Sequence, residues 1–154
     1  MEIIKNIESG EFGIEGEVYF RCFDKYIALS VEGENIEFAQ MCAEYLNELT
    51  DEVISSLCEA SIRYCNGFLE AIGEPIKTFE KPTEVLSLIY PSVLLVPSPE
   101  NEREPVIHME LNCEWEPEHG MEWVVRGNKV LYVGAFNGED PWSDFCQKKA
   151  WNYA

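Results

Sequence analysis

VIHMELNCEW, residues 106–115, changes polarity at every step from Ile107 onward. Ile107, Met109, Leu111, Cys113 and Trp115 are apolar; His108, Glu110, Asn112 and Glu114 are polar. A period of two sustained over this length fits an extended strand with one dry face and no helix, because successive strand side chains point to opposite faces. Glu116-Pro117-Glu118-His119-Gly120 then has turn chemistry: proline fixes φ and glycine supplies a positive one. MEWVVR resumes the extended pattern, and Gly127-Asn128 turns the chain into KVLYVGAF. With residues 116–120 as the loop, Trp115 opposes Met121, Cys113 opposes Trp123 and Leu111 opposes Val125 on the dry face. On the wet face Glu114 then opposes Glu122, and Glu110 opposes Arg126. KVLYVGAF is apolar on both faces, which predicts a central strand covered by helices.

The same logic gives a hairpin over residues 14–32. Ile14, Val18, Phe20 and Cys22 share one face of their strand, and Ile27, Leu29 and Val31 continue that face on the next. An Asp24-Lys25 turn opposes Cys22 to Ile27, Phe20 to Leu29 and Val18 to Val31. IIKNI, just before it, supplies a further short strand. Over 36–72 the period changes. Phe38, Cys42, Tyr45, Leu46 and Leu49 fall on one helical face, with Asn35 as N-cap. Thr50-Asp51 caps a second helix whose stripe is Ile54, Leu57, Cys58, Cys65, Phe68, Leu69 and Ile72, stopped by Gly73. Pro82-Thr83 opens a short amphipathic turn, Ser92–Val96 reads as a buried strand, and PSPENEREP reads as a loop.

These elements predict one α+β domain over residues 1–154: an N-terminal antiparallel β meander, a central helical pair, and a C-terminal antiparallel sheet packed on the helices. The chain is long enough for one core, and 46% of it is apolar. Against 29 acidic residues stand 11 basic ones, for a net charge of −18. That field repels phosphate backbones and anionic bilayers, so neither nucleic acid nor a membrane is an expected partner, whereas a basic protein surface is attracted. No apolar run reaches bilayer-spanning length and no signal-peptide pattern opens the chain, so a cytoplasmic setting is expected. Six cysteines without a C-x-x-C pair read as free, mostly buried thiols in a reducing compartment.

Chemistry concentrates on the glutamate-rich hairpin. From Glu104 to Val125 there are six glutamates and no Lys or Arg. His119 with Glu114, Glu116 or Glu118 has the composition of a general base and an orienting carboxylate. Yet no G-x-S-x-G, no glycine-rich phosphate loop and no H-E-x-x-H accompanies it. Zinc needs several converging N/S ligands, and the two histidines are eleven residues apart; calcium or magnesium on Glu114, Glu118 and Glu122 is chemically allowed. A structural reading makes Glu118-His119-Gly120 a turn locked by its own histidine. A protein-binding reading makes Glu110, Glu114, Glu116, Glu118, His119 and Glu122 an acidic contact surface. No cofactor and no catalytic residue is expected on that reading.

TEVLSLIYPSVLLVPSP and HMELNCEWEPEHGMEWVVRGNKVLYVG, within residues 82–136, resemble an uncharacterised bacterial domain family. The shared pattern is a strand ending in Trp-acid-x-Glu-His-Gly, here Trp115, Glu116, Glu118, His119 and Gly120, followed by a hairpin. The resemblance implies a small stand-alone protein of a kind that serves as the immunity partner of a bacterial toxin. The expected function is therefore a non-enzymatic acidic module that neutralises a cognate toxin, such as a basic nuclease, by direct binding. The alternatives are a metal- or His-dependent enzyme built on His119 and its neighbouring carboxylates, and a housekeeping domain.

Overall fold

A computed structural model describes all 154 residues. The chain runs β1 (Ile4–Ser9), β2 (Gly13–Phe20), β3 (Lys25–Glu32), α1 (Ile36–Asn47), α2 (Asp51–Ala71), β4 (Ile89–Val96), β5 (Val106–Cys113), β6 (Met121–Arg126) and β7 (Lys129–Ala135). Short 3₁₀ turns at Arg21–Phe23 and Pro82–Leu88 link β2 to β3 and lead into β4. The fold is α+β, with an N-terminal antiparallel region, a central helical pair and a C-terminal sheet. The two β regions join edge to edge. Seven strands form one sheet in sequence order, antiparallel everywhere except between β3 and β4. That exception follows from connectivity: β3 leads into two helices, and a parallel neighbour needs such a crossover.

The helices begin where side-chain caps allow. The Asn35 carboxamide accepts the N–H of Phe38, and the Thr50 hydroxyl accepts that of Val53. Gly73, at φ 77°, ends α2 where an L-residue would be strained. The buried stripe of α1 is Phe38, Ala39, Cys42, Ala43 and Leu46; that of α2 includes Val53, Leu57, Cys58, Cys65 and Leu69. These stripes pack on one sheet face, where Val18, Leu29, Leu94, Met109, Leu111 and Trp123 are buried. Trp123 reaches across: its Nε1–H donates to Ser61 Oγ on α2 at 3.0 Å, so the indole is buried without an orphaned donor.

Both expected hairpin registers are corrected, each by four residues. Val18 opposes Ile27, not Val31, and Leu111 opposes Met121, not Val125. In the first hairpin, residues 21–23 coil into the 3₁₀ turn and Asp24 takes a left-handed φ of 49°, which moves the turn toward the C-terminus of β2 and leaves Cys22 exposed. In the second, Asn112 and Cys113 pair with Tyr90 and Ile89 of β4, so β5 parts from β6 beyond Leu111. Glu110 therefore faces Glu122, Glu114 faces neither, and Arg126 pairs with Val106. The Gly127-Asn128 turn stands where expected, both residues at positive φ (61° and 57°).

The expectation of a central β7 is also corrected. β7 is an edge strand, and its apolar character answers to a different cover. The C-terminal segment wraps this edge: Asn152 accepts from the Val133 N–H and donates to the Leu131 carbonyl, and the Tyr153 N–H donates to the Val133 carbonyl. An uncovered edge invites intermolecular pairing, and this one is closed by its own chain. At the opposite edge β1 is interrupted between Lys5 and Glu8, with Asn6 at φ 56°, a bulge that spoils it as a pairing template.

Candidate functional site

The second sheet face carries the polar partners of the alternation. His108, Glu110 and Glu122 all lie on it, because Glu110 pairs with Glu122 and His108 with Val124. After β7 the chain doubles back over this face. Phe136 stacks on the His108 ring, 6.4 Å between centroids and 4° from coplanar. The next three residues present their backbone N–H groups to Glu122. Its Oε1 accepts from Asn137 at 2.9 Å and Gly138 at 3.2 Å, and its Oε2 accepts from Glu139 at 2.8 Å. The fourth acceptor position is filled by His108 Nε2. A carboxylate offers about four lone-pair directions, and here each has a donor. Arg126 ties the same segment down further along, donating to the carbonyls of Pro141 and Ser143.

Two residues of the expected acidic contact surface lie inside this arrangement. Glu122 is fully buried and cannot meet a partner; its carboxylate is a strap anchor. Glu116 is buried as well, and it locks the β5–β6 loop by accepting from His119 Nδ1 at 2.7 Å and from the Glu118 N–H at 3.3 Å. His119 remains 71% exposed at the tip, so the structure does bring His119 and Glu116 together, as a pair on the surface. Glu118 and Glu114 are exposed, and Glu114 accepts the Tyr90 hydroxyl at 2.6 Å. That hydrogen bond raises the Tyr90 phenol above its ordinary range. Glu110 is half-buried on the second face, away from the tip.

A family model described as "Domain of unknown function (DUF6985)" matches residues 3–141. The chain belongs to the DUF6985 family. The match extends the C-terminal resemblance through β1–β3 and both helices, and it includes the residues that bind Glu122. No curated protein and no solved structure matches the chain.

In this DUF6985 chain neither histidine is wired as a base for a nucleophile. The hydrogen bonds of His108 and His119 go to Glu122 and Glu116, and no Ser, Thr, Tyr or Cys bonds to either ring. Ser30 lines the same hollow as His108 from two strands away, and no hydrogen bond joins the two side chains. No three His, Cys, Asp or Glu side chains converge as metal ligands. Burial pushes the thiols of Cys58 and Cys113 up to about 12 and that of Cys42 to about 11, which keeps them protonated and poorly nucleophilic near neutral pH. No helix is long and apolar enough to cross a membrane.

The His108–Glu122 pair escaped the sequence reading, although its signal was present. Both residues occupy the polar face of their strands. A loop spanning Asn112–Gly120, in place of 116–120, makes them diagonal neighbours across the ladder.

Proposed function

We propose that this DUF6985 protein is a non-enzymatic acidic binding module that neutralises a basic bacterial toxin by direct contact. The observation that carries the reading is an unrelieved charge. Of 29 Asp and Glu residues, only Glu104 has a Lys or Arg side chain within ion-pair distance, Arg126 at 3.9 Å. Surface acids gain little from isolated pairing, so a stable fold does not require them to be neutralised. A basic partner gains long-range steering and electrostatic complementarity from such a field. Nuclease toxins hold phosphates and are basic for that reason, which makes them suitable partners. Glu110, Glu114, Glu118 and His119 remain available as contact residues, while Glu116 and Glu122 are withdrawn from the surface.

The test is co-expression with the protein encoded beside this gene. Growth rescue, and a purified complex whose association rate falls steeply between 50 and 300 mM salt, are the expected results. A neighbour that is harmless alone, or a toxic one that is not neutralised and does not bind, refutes the reading.

A second reading, a His-dependent enzyme, rests on the His119–Glu116 pair. It predicts a divalent-ion thermal shift that His119→Ala abolishes; the binding reading predicts none.

A further inference from the structure

We propose that the open part of the second sheet face is a trough that receives a basic amphipathic helix of the partner protein. This inference rests on the binding reading above and assigns its surface.

The first observation is topological. β3 and β4 form the one parallel ladder of the sheet. Sheets made wholly of parallel strands are ordinarily covered on both faces, most often by helices; this pair sits in a mixed sheet. Here α1 and α2 cover one face only. On the other, Ala28 of β3 is exposed, and Ser30, Val93 and Leu95 are half-buried. The C-terminal strap seats itself on β5 and β6 through Glu122, lines the Val31–Val96 end of this pair with Glu139, Asp140 and Pro141, and reaches Ser98 through Trp142, so the floor is open around Ala28 and Val93.

The second observation is the charge around that floor. On the β1–β2 side, Glu8 stands directly opposite Glu15, a like-charge pair that costs stability where it stands, and Glu17 follows two residues on. On the β5 side are Glu110 and the strap residues Glu139 and Asp140. The two hollows that make up this surface meet at Ser30, and neither is lined by Lys or Arg. The result is a floor of Ala28, Ser30, Val93 and Leu95 between walls that are acidic except at Lys5, which opposes Glu17 and lies over the Tyr26 ring.

The third observation is width. From β2 to β5 is three inter-strand spacings, roughly 14 Å. That accommodates one α-helix, about 10–12 Å across with side chains. A helix lying along β3 and β4 sets its apolar stripe on Ala28, Val93 and Leu95 and directs flanking Lys or Arg to both walls. An added strand is a poorer occupant, because the bulged β1 edge gives it no ladder. A second copy of this chain brings its own −18 charge to the same place and is repelled.

The probe is a synthetic 18-residue helical peptide with a Leu/Ala stripe flanked by lysines. It is titrated into the full chain by NMR and calorimetry, alongside Glu8→Lys/Glu15→Lys on the wall, Ala28→Arg on the floor, and Glu114→Lys/Glu118→Lys at the hairpin tip. The wall and tip variants change net charge equally, so general attraction cancels between them. Thermal melts confirm that each variant is folded, and the Ala28→Arg change sits at an exposed position if the wall variant is not. The expected result is shift changes on Ala28, Ser30, Val93 and Leu95, with affinity reduced at least tenfold by wall and floor variants and less than threefold by the tip variant. Equal losses in wall and tip variants, shifts mapping to the helices or the tip, or no binding to the wild type overturn the trough. Failure here with successful toxin neutralisation removes only this surface; failure of neutralisation removes the parent reading.

Discussion

The anchor at Glu122 makes the strongest quantitative prediction. Glu122→Ala removes a fully buried carboxylate and strands four donors: the N–H groups of Asn137, Gly138 and Glu139, and His108 Nε2. Summing four hydrogen bonds overstates the effect, because the freed strap lifts and rehydrates its amides. The better guide is the cost of removing a buried carboxylate from a site whose hydrogen bonds all converge on it, about 3–5 kcal/mol. At about 2–4 °C per kcal/mol for a domain of this size, the melting temperature falls by roughly 6–20 °C. Glu122→Gln separates charge from shape. It keeps an acceptor for Asn137 and Gly138 but turns an NH₂ group toward the Glu139 N–H, at a cost of about 1.5–3 kcal/mol. Urea denaturation measures both, with exposed Glu118→Ala as a control expected within about 0.5 kcal/mol of the parent. Hydrogen exchange locates the effect: the amides of 137–139 lose protection while those of β5 keep theirs. A Glu122→Ala protein within about 1 kcal/mol of the parent, or one with unchanged protection at 137–139, refutes the anchor argument.

Other outcomes follow from the same packing. Ser61→Ala leaves the Trp123 indole N–H buried without its acceptor and costs about 1–3 kcal/mol in urea denaturation. Gly120→Ala introduces a Cβ at φ 74° with the Leu111 carbonyl oxygen 3.0 Å away, so stability falls by about 1–3 kcal/mol, read from the thermal melt. A thiol reagent at pH 8 modifies Cys22 and Cys146 in the folded protein and reaches the other four cysteines only on unfolding. Cys42, Cys58 and Cys113 have folded-state pKa values raised from 9.0 to about 11 or 12 by burial, so their unfolded thiols ionise first. Their contribution to stability is whole below pH 9 and is lost as pH rises through 11–12; the urea midpoint therefore drops across that alkaline window, and a flat profile contradicts the burial.

Polarity patterns alone determined which face most strand residues take, where both helices start, where the second one stops, and that the whole is α+β. Trp115, Met121 and Trp123 could be assigned to the interior because a period of two leaves no other choice. Asn35, Thr50 and Gly73 could be assigned as caps because capping is local chemistry. Register was different. A slip of four residues returns every side chain to its own face, so alternation is blind to it, and only the turn and the competing β4 ladder decided it. The role of the acidic residues was hidden for a related reason. Alternation identifies Glu122 as lying on the polar face but says nothing of what crosses that face. The strap comes from residues 136–141, brought there only when β7 ends at the sheet edge and the chain folds back. Sequence set the sign of the surface; tertiary structure decided which carboxylates hold the fold together and which are left for a partner, because burial depends on distant chain and charge does not.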